Sequence, residues 1–156
     1  MKNTILGLDK KEVTQLADEL NILLANFQIY YQNLRGLHWN IKGKSFFELH
    51  VKFEELYTDA HEKIDMIAER ILTLEGKPLH TFEDYMKHAT VSVGKDISQD
   101  KDSVELVLNS LAILLEIERK IMILSAEADD EGTNTLISDF ISEQEKTSWM
   151  LKAWLS

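Results

Sequence analysis

The sequence has no cysteine, a single proline and only six glycines among its 156 residues. The absence of cysteine excludes disulfides, thiolate metal sites and cysteine nucleophiles. So few prolines and glycines argue against a turn-rich β architecture and favour long, uninterrupted helices. With 44% apolar and 28% charged residues, the composition is that of a globular protein. The length predicts a single domain over residues 1–156.

Long apolar runs and an excess of positive charge are missing too. The longest wholly apolar run, Leu111–Leu115, is far shorter than the roughly 20 residues that span a bilayer. The N-terminus lacks the apolar stretch of about 7–15 residues that a secretory signal needs, so we expect a cytoplasmic protein without membrane contact. The net charge of −10 with neutral histidine disfavours nucleic acid as a partner and favours cations.

Apolar residues recur with a helical period in four segments of the chain. The predicted helices cover about residues 9–36, 45–75, 104–124 and 132–154. Asp9 and Glu12 form a capping-box pattern at the start of the first helix, and Gly36 predicts its end. Gly76 and Pro78 predict the end of the second helix.

The connections between these helices predict the topology. The first and third are short and form antiparallel hairpins. The middle connection, Gly76–Ile97, is long enough to travel the length of a bundle, and within it Thr81–His88 has the pattern of a short capped helix. We therefore predict an all-α fold, a ferritin-like four-helix bundle with one long crossover that carries a short extra helix. An up-down-up-down bundle is the alternative, but it leaves the long connection unexplained.

Candidate metal ligands are few. Asp65 and Glu69 are four residues apart and so share one helix face, although such a pair is commonly just a solvated surface. No glutamate precedes a histidine by three residues, which excludes the paired Glu-x-x-His motifs of a di-iron site within one subunit. The segment that begins at His61 resembles the zincin motif, but its fifth residue is aspartate rather than histidine. For His61, His80 and His88 we expect exposed side chains.

The remaining set consists of His38, His50, Asp65 and Glu69. A hairpin between the first two helices brings the two histidines together, whereas Asp65 lies about 22 Å further along the second helix. One subunit therefore cannot place all four groups around one ion. Two subunits packed antiparallel about a two-fold axis form two equivalent sites. Two imidazoles and two carboxylates suit iron(II), and also zinc or cobalt, better than calcium.

The segments around these residues resemble a known family, the Dps mini-ferritins, which are named after DNA-binding proteins of starved cells. The similarity lies in residue types and in the intervals of 12, 15 and 4 residues that separate the four candidate ligands. It is dense from Leu37 to Pro78. The matching segments are Leu37–Gly43, Phe46–His50, Phe53–Tyr57 and Asp65–Arg70.

This resemblance implies a hollow homododecamer that stores iron and detoxifies it together with peroxide. It implies a ferroxidase that oxidises iron(II) with hydrogen peroxide, or with oxygen, at sites between subunits and keeps the ferric product inside the shell. His38 and His50 are then metal-binding and catalytic residues from one subunit, and Asp65 and Glu69 are those from its partner.

Five other residues receive roles from the resemblance. Glu54 is expected behind the ligands, where it orients a histidine or a bridging water. Trp39 is expected to donate an electron, to pack in the interface, or both. Asp129, Asp130 and Glu131 are candidates for a three-fold pore that admits cations. The alternative for this cluster is a solvated loop in which Asp129 or Asp130 caps the last helix.

DNA binding is the property in which the chain departs from the family name. The first eleven residues hold only three lysines, and neither end carries a long basic tail. We expect weak DNA binding or none. Two other functions remain as alternatives: a DNA-packing nucleoid protein with incidental metal binding, and a helical interaction module that takes up no iron and forms no shell.

Overall fold

The computed structural model describes residues 2–156, which are helical apart from turns, loops and one isolated bridge between Asn3 and Asp9. The helices are α1 (Lys10–Asn40), α2 (Phe46–Thr73), α3 (Phe82–His88), α4 (Asp100–Glu127) and α5 (Glu131–Leu155). This is the predicted all-α arrangement of four long helices with a short one in the crossover. Within the described part of the chain, no helix is both long and apolar enough to cross a membrane.

The core forms where the apolar stripes of the long helices meet. α1 packs against α2, α3 and α4, and α4 packs against α5. Phe27 and Phe53 are among the largest fully buried side chains, and the Phe27 ring meets that of Phe140 edge-on at a centroid distance of 6.1 Å. Each such side chain contributes roughly 1.5–3 kcal/mol through the apolar surface that it removes from water.

Two of the predicted helix starts are confirmed by their hydrogen bonds. The Asp9 carboxylate accepts from the backbone amides of Lys11 and Glu12 at the start of α1. The Thr81 hydroxyl accepts from the backbone amide of Asp84 at the start of α3. In each case a side chain satisfies amides that have no partner within the helix.

The predicted end of the first helix is wrong. α1 continues through Gly36 to Asn40, whose side-chain amide donates to the Gly36 carbonyl at 2.8 Å. A glycine inside a helix costs about 1 kcal/mol relative to alanine, and burial of Leu37 outweighs that cost. His38 consequently lies in the last turn of α1.

The second helix ends two residues before the predicted Glu75. Glu75 itself takes the left-handed conformation with φ of 64°, and the amide of Gly76 donates to the Ile71 carbonyl. Glycine is nevertheless needed at position 76, because a Cβ there would lie 3.0 Å from Ile71 Cγ2 and 3.1 Å from Ala17 Cβ. Gly76 therefore permits the close approach of α1 and α2, while Glu75 makes the turn.

Three asparagines of α1 hold the crossover along the bundle. The side chains of Asn21, Asn26 and Asn33 accept hydrogen bonds from backbone amides of the crossover, and those of Asn21 and Asn33 also donate to its carbonyls. Their backbone partners are Lys77 and Leu79, then Thr90 and Val91, and finally Ser92 and Gly94. The crossover therefore runs alongside α1 and parallel to it, from near the start of α1 towards its end.

The end of the crossover decides the direction of α4. The backbone amide of Lys42, between α1 and α2, donates to the Ser98 carbonyl at 2.9 Å, just before α4 begins. α2 and α4 therefore start at the same end of the bundle and run parallel. This is the topology that the long connection predicts, and it excludes the up-down-up-down alternative.

Candidate metal centre

His38 and His50 form a stacked pair where the α1–α2 hairpin closes. Their ring centroids are 3.8 Å apart, with an angle of 10° between the planes. Nδ1 of His38 lies 2.6 Å from the His50 carbonyl oxygen, and Nδ1 of His50 lies 2.7 Å from the His38 carbonyl oxygen. Because a carbonyl only accepts, both Nδ1 atoms carry the proton, and in the neutral rings both Nε2 atoms keep a lone pair for a metal.

Neighbouring aromatic rings hold this pair in place. The Phe46 ring stacks on His50 at 4.9 Å, and the Tyr57 ring meets His38 edge-on at 5.4 Å. His38 is buried and His50 is half-buried. The two imidazoles are thus oriented before any metal arrives, an arrangement typical of metal-binding histidines.

Asp65 and Glu69 lie exposed on one face of α2, far from the histidine pair along the helix. Asp65 lines an open cleft of about 680 Å³ between α1 and α2. The other lining residues are Gln28, Tyr31, His61, Glu62, Ile64 and Ala68. Among residues 2–156, no three histidine or acidic side chains of one chain come close enough to hold a metal ion. Within one chain, the histidine pair and the carboxylate pair are therefore separate, as the helix spacing predicts.

Glu54 has a tyrosine as its hydrogen-bond partner within the chain. Its carboxylate accepts a hydrogen bond from the Tyr57 hydroxyl at 3.3 Å. Both histidine Nδ1 atoms already donate to carbonyls, so within one chain Glu54 accepts from neither, and its role in orienting a histidine stays a prediction. Its alternative role, holding a bridging water, stays a prediction.

Trp39 is 58% exposed beside the histidine pair. The guanidinium carbon of Arg35 lies 4.9 Å from the Trp39 ring and 5.5 Å from the Tyr31 ring, so Arg35 stands between the two aromatic side chains. Both the electron-donating role and the interface role of Trp39 remain predictions.

Asp130 is engaged inside the subunit. It is 2% exposed and caps α5 by accepting from the Thr133 amide at 3.1 Å and the Thr133 hydroxyl at 2.5 Å. It also pairs with Arg70 Nη2 at 2.6 Å, which joins the end of α2 to the start of α5. The guanidinium lies against Gly132, where a Cβ would be 2.6 Å from Nη2. Of the two alternatives for Asp130, the capping role is the one that its contacts show.

Asp129 and Glu131, the neighbours of this cap, are both exposed. Asp129 takes the left-handed conformation with φ of 55°, and the Asp130 amide donates to the Ser125 carbonyl to close the end of α4. Their place in a cation pore stays a prediction. His61, His80 and His88 are exposed, as predicted.

A buried carboxyl group escaped sequence analysis. Glu118 is fully buried in α4 and hydrogen-bonds to Gln144 of α5, and burial raises the pKa of the Glu118 carboxyl to about 8. The sequence does contain a sign of this burial, because Glu118 occupies a position of the apolar stripe between Leu114 and Ile121. A charged residue at such a position indicates a buried polar contact rather than a break in the helix.

Comparison with known proteins places the chain in a class. A family model described as a ferritin-like domain matches residues 17–156. The DNA protection during starvation protein of Porphyromonas gingivalis is 43% identical over 96% of this chain and 94% of its own length. The bundle, its long crossover and this match together define a ferritin-like protein.

Similar solved structures identify the family within the ferritin-like class. A Dps protein from Vibrio cholerae O1, described as a member of a broad superfamily of ferritin-like diiron-carboxylate proteins, has a TM-score of 0.98 at 50% identity. The similarity covers 100% of this chain and 98% of that one. A Dps protein from Bacillus brevis has a TM-score of 0.91 at 34% identity, over 94% of this chain and 98% of its own. The chain belongs to the Dps-like mini-ferritins.

Proposed function

We propose that this protein stores iron and detoxifies it, by oxidising iron(II) with hydrogen peroxide, or with oxygen, and retaining the ferric product inside a hollow homododecamer. The observation that carries the proposal is the stacked pair of His38 and His50, whose Nδ1 protons are held by carbonyls so that both Nε2 atoms are free to bind iron. The description of the Vibrio cholerae relative as a ferritin-like diiron-carboxylate protein supports the choice of iron.

The site is proposed to form between two subunits. His38 and His50 of one subunit meet Asp65 and Glu69 of the partner subunit across a two-fold axis. The separation of about 22 Å between His50 and Asp65 along α2 requires this division, and the symmetry makes two equivalent sites in each dimer. All four are ligands that iron(II) accepts.

The chemistry follows from this ligand set. The imidazoles and carboxylates hold iron(II) and leave coordination positions for the oxidant. Two iron(II) ions, one hydrogen peroxide and two protons give two iron(III) ions and two water molecules. Because both electrons come from iron, the oxygen–oxygen bond breaks without release of hydroxyl radical.

The acidic character of the chain supports both the entry of iron and its storage. A net charge of −10 per chain draws iron(II) towards the shell. Asp129 and Glu131, exposed at the turn between α4 and α5, are the proposed acids of a three-fold pore. Asp130 takes part by fixing this turn through its bonds to Arg70 and Thr133.

The decisive experiment adds iron(II) to metal-free protein without oxygen and then injects hydrogen peroxide. Ferric absorbance and trapped hydroxyl radical are followed together. We expect oxidation faster than that of free iron, with little radical. Oxidation no faster than in buffer, with radical undiminished, would contradict the proposal and reopen the interaction-module alternative.

Replacing one proposed ligand tests the site itself. Asp65→Ala removes a carboxylate from the exposed face of α2 without disturbing the core. We expect peroxide-driven oxidation to slow by at least about tenfold, because losing even an outer partner of a metal ligand commonly costs that much. Asp18→Ala, an exposed acid on α1, is the matched control. Native mass should be unchanged in both. Equal rates in the two variants would remove Asp65 from the site.

A second candidate function is DNA packing, because the Porphyromonas gingivalis relative bears the name DNA protection during starvation protein. The charge of −10 per chain disfavours contact with phosphates. A mobility-shift assay at physiological salt with metal-free protein separates the two candidates. No retardation of DNA is expected, and a retarded band would support DNA packing.

A further inference from the structure

An aromatic row joins the histidine pair and the carboxylate pair of each chain. The His38 ring contacts Tyr57 at 5.4 Å, Tyr57 contacts Tyr31 at 6.0 Å, and Tyr31 contacts His61 at 5.8 Å between ring centroids. His61 stands one helical turn before Asp65 and lines the same cleft. The row thus begins at the histidine pair and ends beside the carboxylate pair.

The two ends of this row belong to different metal sites. In the proposed dimer, His38 serves one site and Asp65 of the same chain serves the other. Each subunit therefore provides an aromatic path from one site to its symmetry mate. This reasoning rests on the proposed function, because only the shared sites place the ends of the row at two irons.

Tyr57 has a proton acceptor beside its hydroxyl, which a tyrosine needs in order to lose and regain an electron. Oxidation of a phenol at neutral pH releases its proton, so an acceptor must lie within hydrogen-bonding reach. The Tyr57 hydroxyl donates to the Glu54 carboxylate at 3.3 Å. Glu54 is the group that takes the proton and returns it.

Tyr31 continues the row from Tyr57 towards the cleft. Both tyrosines are half-buried, and their rings meet edge-on at an angle of 72°. Tyr31 shares the cleft with the carboxylates of Glu62 and Asp65. The positive charge of Arg35 above the Tyr31 ring disfavours a cationic radical and favours loss of the proton with the electron.

We propose that Tyr57 and Tyr31 carry an electron between the two metal sites of a dimer, so that one iron(II) at each site together reduce one hydrogen peroxide. The iron in contact with peroxide gives one electron, and Tyr57 gives the second while its proton passes to Glu54. Tyr31 then passes an electron to Tyr57, Glu54 returns the proton to Tyr57, and the Tyr31 proton passes to solvent in the open cleft that Tyr31 lines. The iron(II) at the other site reduces Tyr31, which regains a proton from the same solvent.

The electrons and atoms balance over the pair of sites. Two iron(II) become two iron(III), the oxygen–oxygen bond of one peroxide breaks, and two protons from the solution complete two water molecules. Without the row, a site that holds one iron(II) supplies only one electron. Peroxide then leaves as hydroxide and hydroxyl radical.

The test loads metal-free protein with one iron(II) per site and adds hydrogen peroxide to the wild type, Tyr57→Phe and Tyr31→Phe. Phenylalanine keeps the ring but has no ionisable hydroxyl. Tyr85→Phe, in α3 and outside the row, is the matched control. The measurements are iron oxidised per peroxide, trapped hydroxyl radical and the tyrosyl signal in freeze-quenched paramagnetic resonance spectra.

The wild type and Tyr85→Phe should oxidise two iron(II) per peroxide, with a transient tyrosyl signal and little hydroxyl radical. Tyr57→Phe should lose most of that signal, approach one iron(II) per peroxide and release several-fold more radical. Tyr31→Phe should shift the stoichiometry the same way, and it carries the test alone if Tyr57→Phe does not assemble. A packing role for the rings predicts no change in the tyrosyl signal or the stoichiometry.

The test distinguishes failure of the proposed function from failure of the electron path alone. A wild type that oxidises iron(II) no faster than buffer overturns the proposed function and the electron path with it. A wild type that works, with unchanged stoichiometry and radical yield in both row variants, overturns the electron path alone.

Discussion

His38 and His50 each donate from Nδ1 to the carbonyl oxygen of the other, so a backbone group selects the tautomer of each ring. His50→Gln removes the Nε2 atom that is proposed to bind metal, and this reciprocal bond with it. Because outer partners of ligating histidines commonly contribute 10–100-fold in affinity, cobalt(II) binding should weaken by at least about tenfold. Visible absorption of cobalt(II) measures it, with exposed His80→Gln as control. Equal cobalt(II) affinities in the two variants would contradict the assignment of His50.

The sequence predicted the positions of the four candidate ligands better than it predicted their surroundings. The pairing of His38 with His50 and its separation from Asp65 follow from helix spacing, while the metal-binding role of all four residues stays a prediction. The partner of Glu54 and the pairing of Asp130 with Arg70 do not follow. Arg70 lies 60 residues before Asp130, and only the packing of α2 against α5 brings the two together.

At the scale of the element, the crossover depends on buried amides of α1. Asn26 is fully buried, and its Oδ1 accepts from the amides of Thr90 and Val91. Asn26→Ala leaves these donors without a partner, at about 1–3 kcal/mol for each buried group. The amides of residues 90–91 should exchange faster with deuterium and the midpoint of urea unfolding should fall. Asn109→Ala, at an exposed position of α4, is the control. The same exchange rates at residues 90–91 in both variants would contradict the role given to Asn26.

Helix periodicity predicted the existence and order of the elements but not all of their ends. The first helix passes through Gly36 because tertiary burial of Leu37 outweighs a local propensity. The second ends at Thr73 because Glu75, rather than a glycine, takes the left-handed conformation. The length of the crossover was readable from the sequence, whereas its three asparagine anchors are single polar residues within an apolar stripe.

At the scale of the whole molecule, stability depends on the buried Glu118 carboxyl. Its pKa rises from 4.5 to about 8, so the folded chain keeps a proton that the unfolded chain loses between these values. The free energy of unfolding should therefore fall as pH rises through this range, by up to about 5 kcal/mol for a shift of this size. Gln144 of α5, Lys63 of α2, Tyr30 of α1 and Arg119 of α4 are the groups around it.

Glu118→Gln removes the ionisable group and keeps its shape. The variant should lose this part of the pH dependence and be more stable than the wild type above the folded pKa. Denaturant unfolding below and above the range measures the difference, and the exposed Glu116→Gln on the same helix is the control. A wild type and a Glu118→Gln variant with parallel pH profiles would show that the carboxyl is ionised in the folded protein.

The proposed sharing of each metal site between two subunits has a genetic consequence. A subunit whose histidine pair is mutated still carries intact carboxylates. A subunit with an Asp65 substitution still carries an intact histidine pair. In the proposed dimer, when the two defective subunits pair, one of their two shared sites receives only intact halves. Equal random mixing makes half of the dimers unlike pairs, so a quarter of all sites are whole. Two inactive alleles should therefore complement each other in mixed shells, although neither regains activity alone.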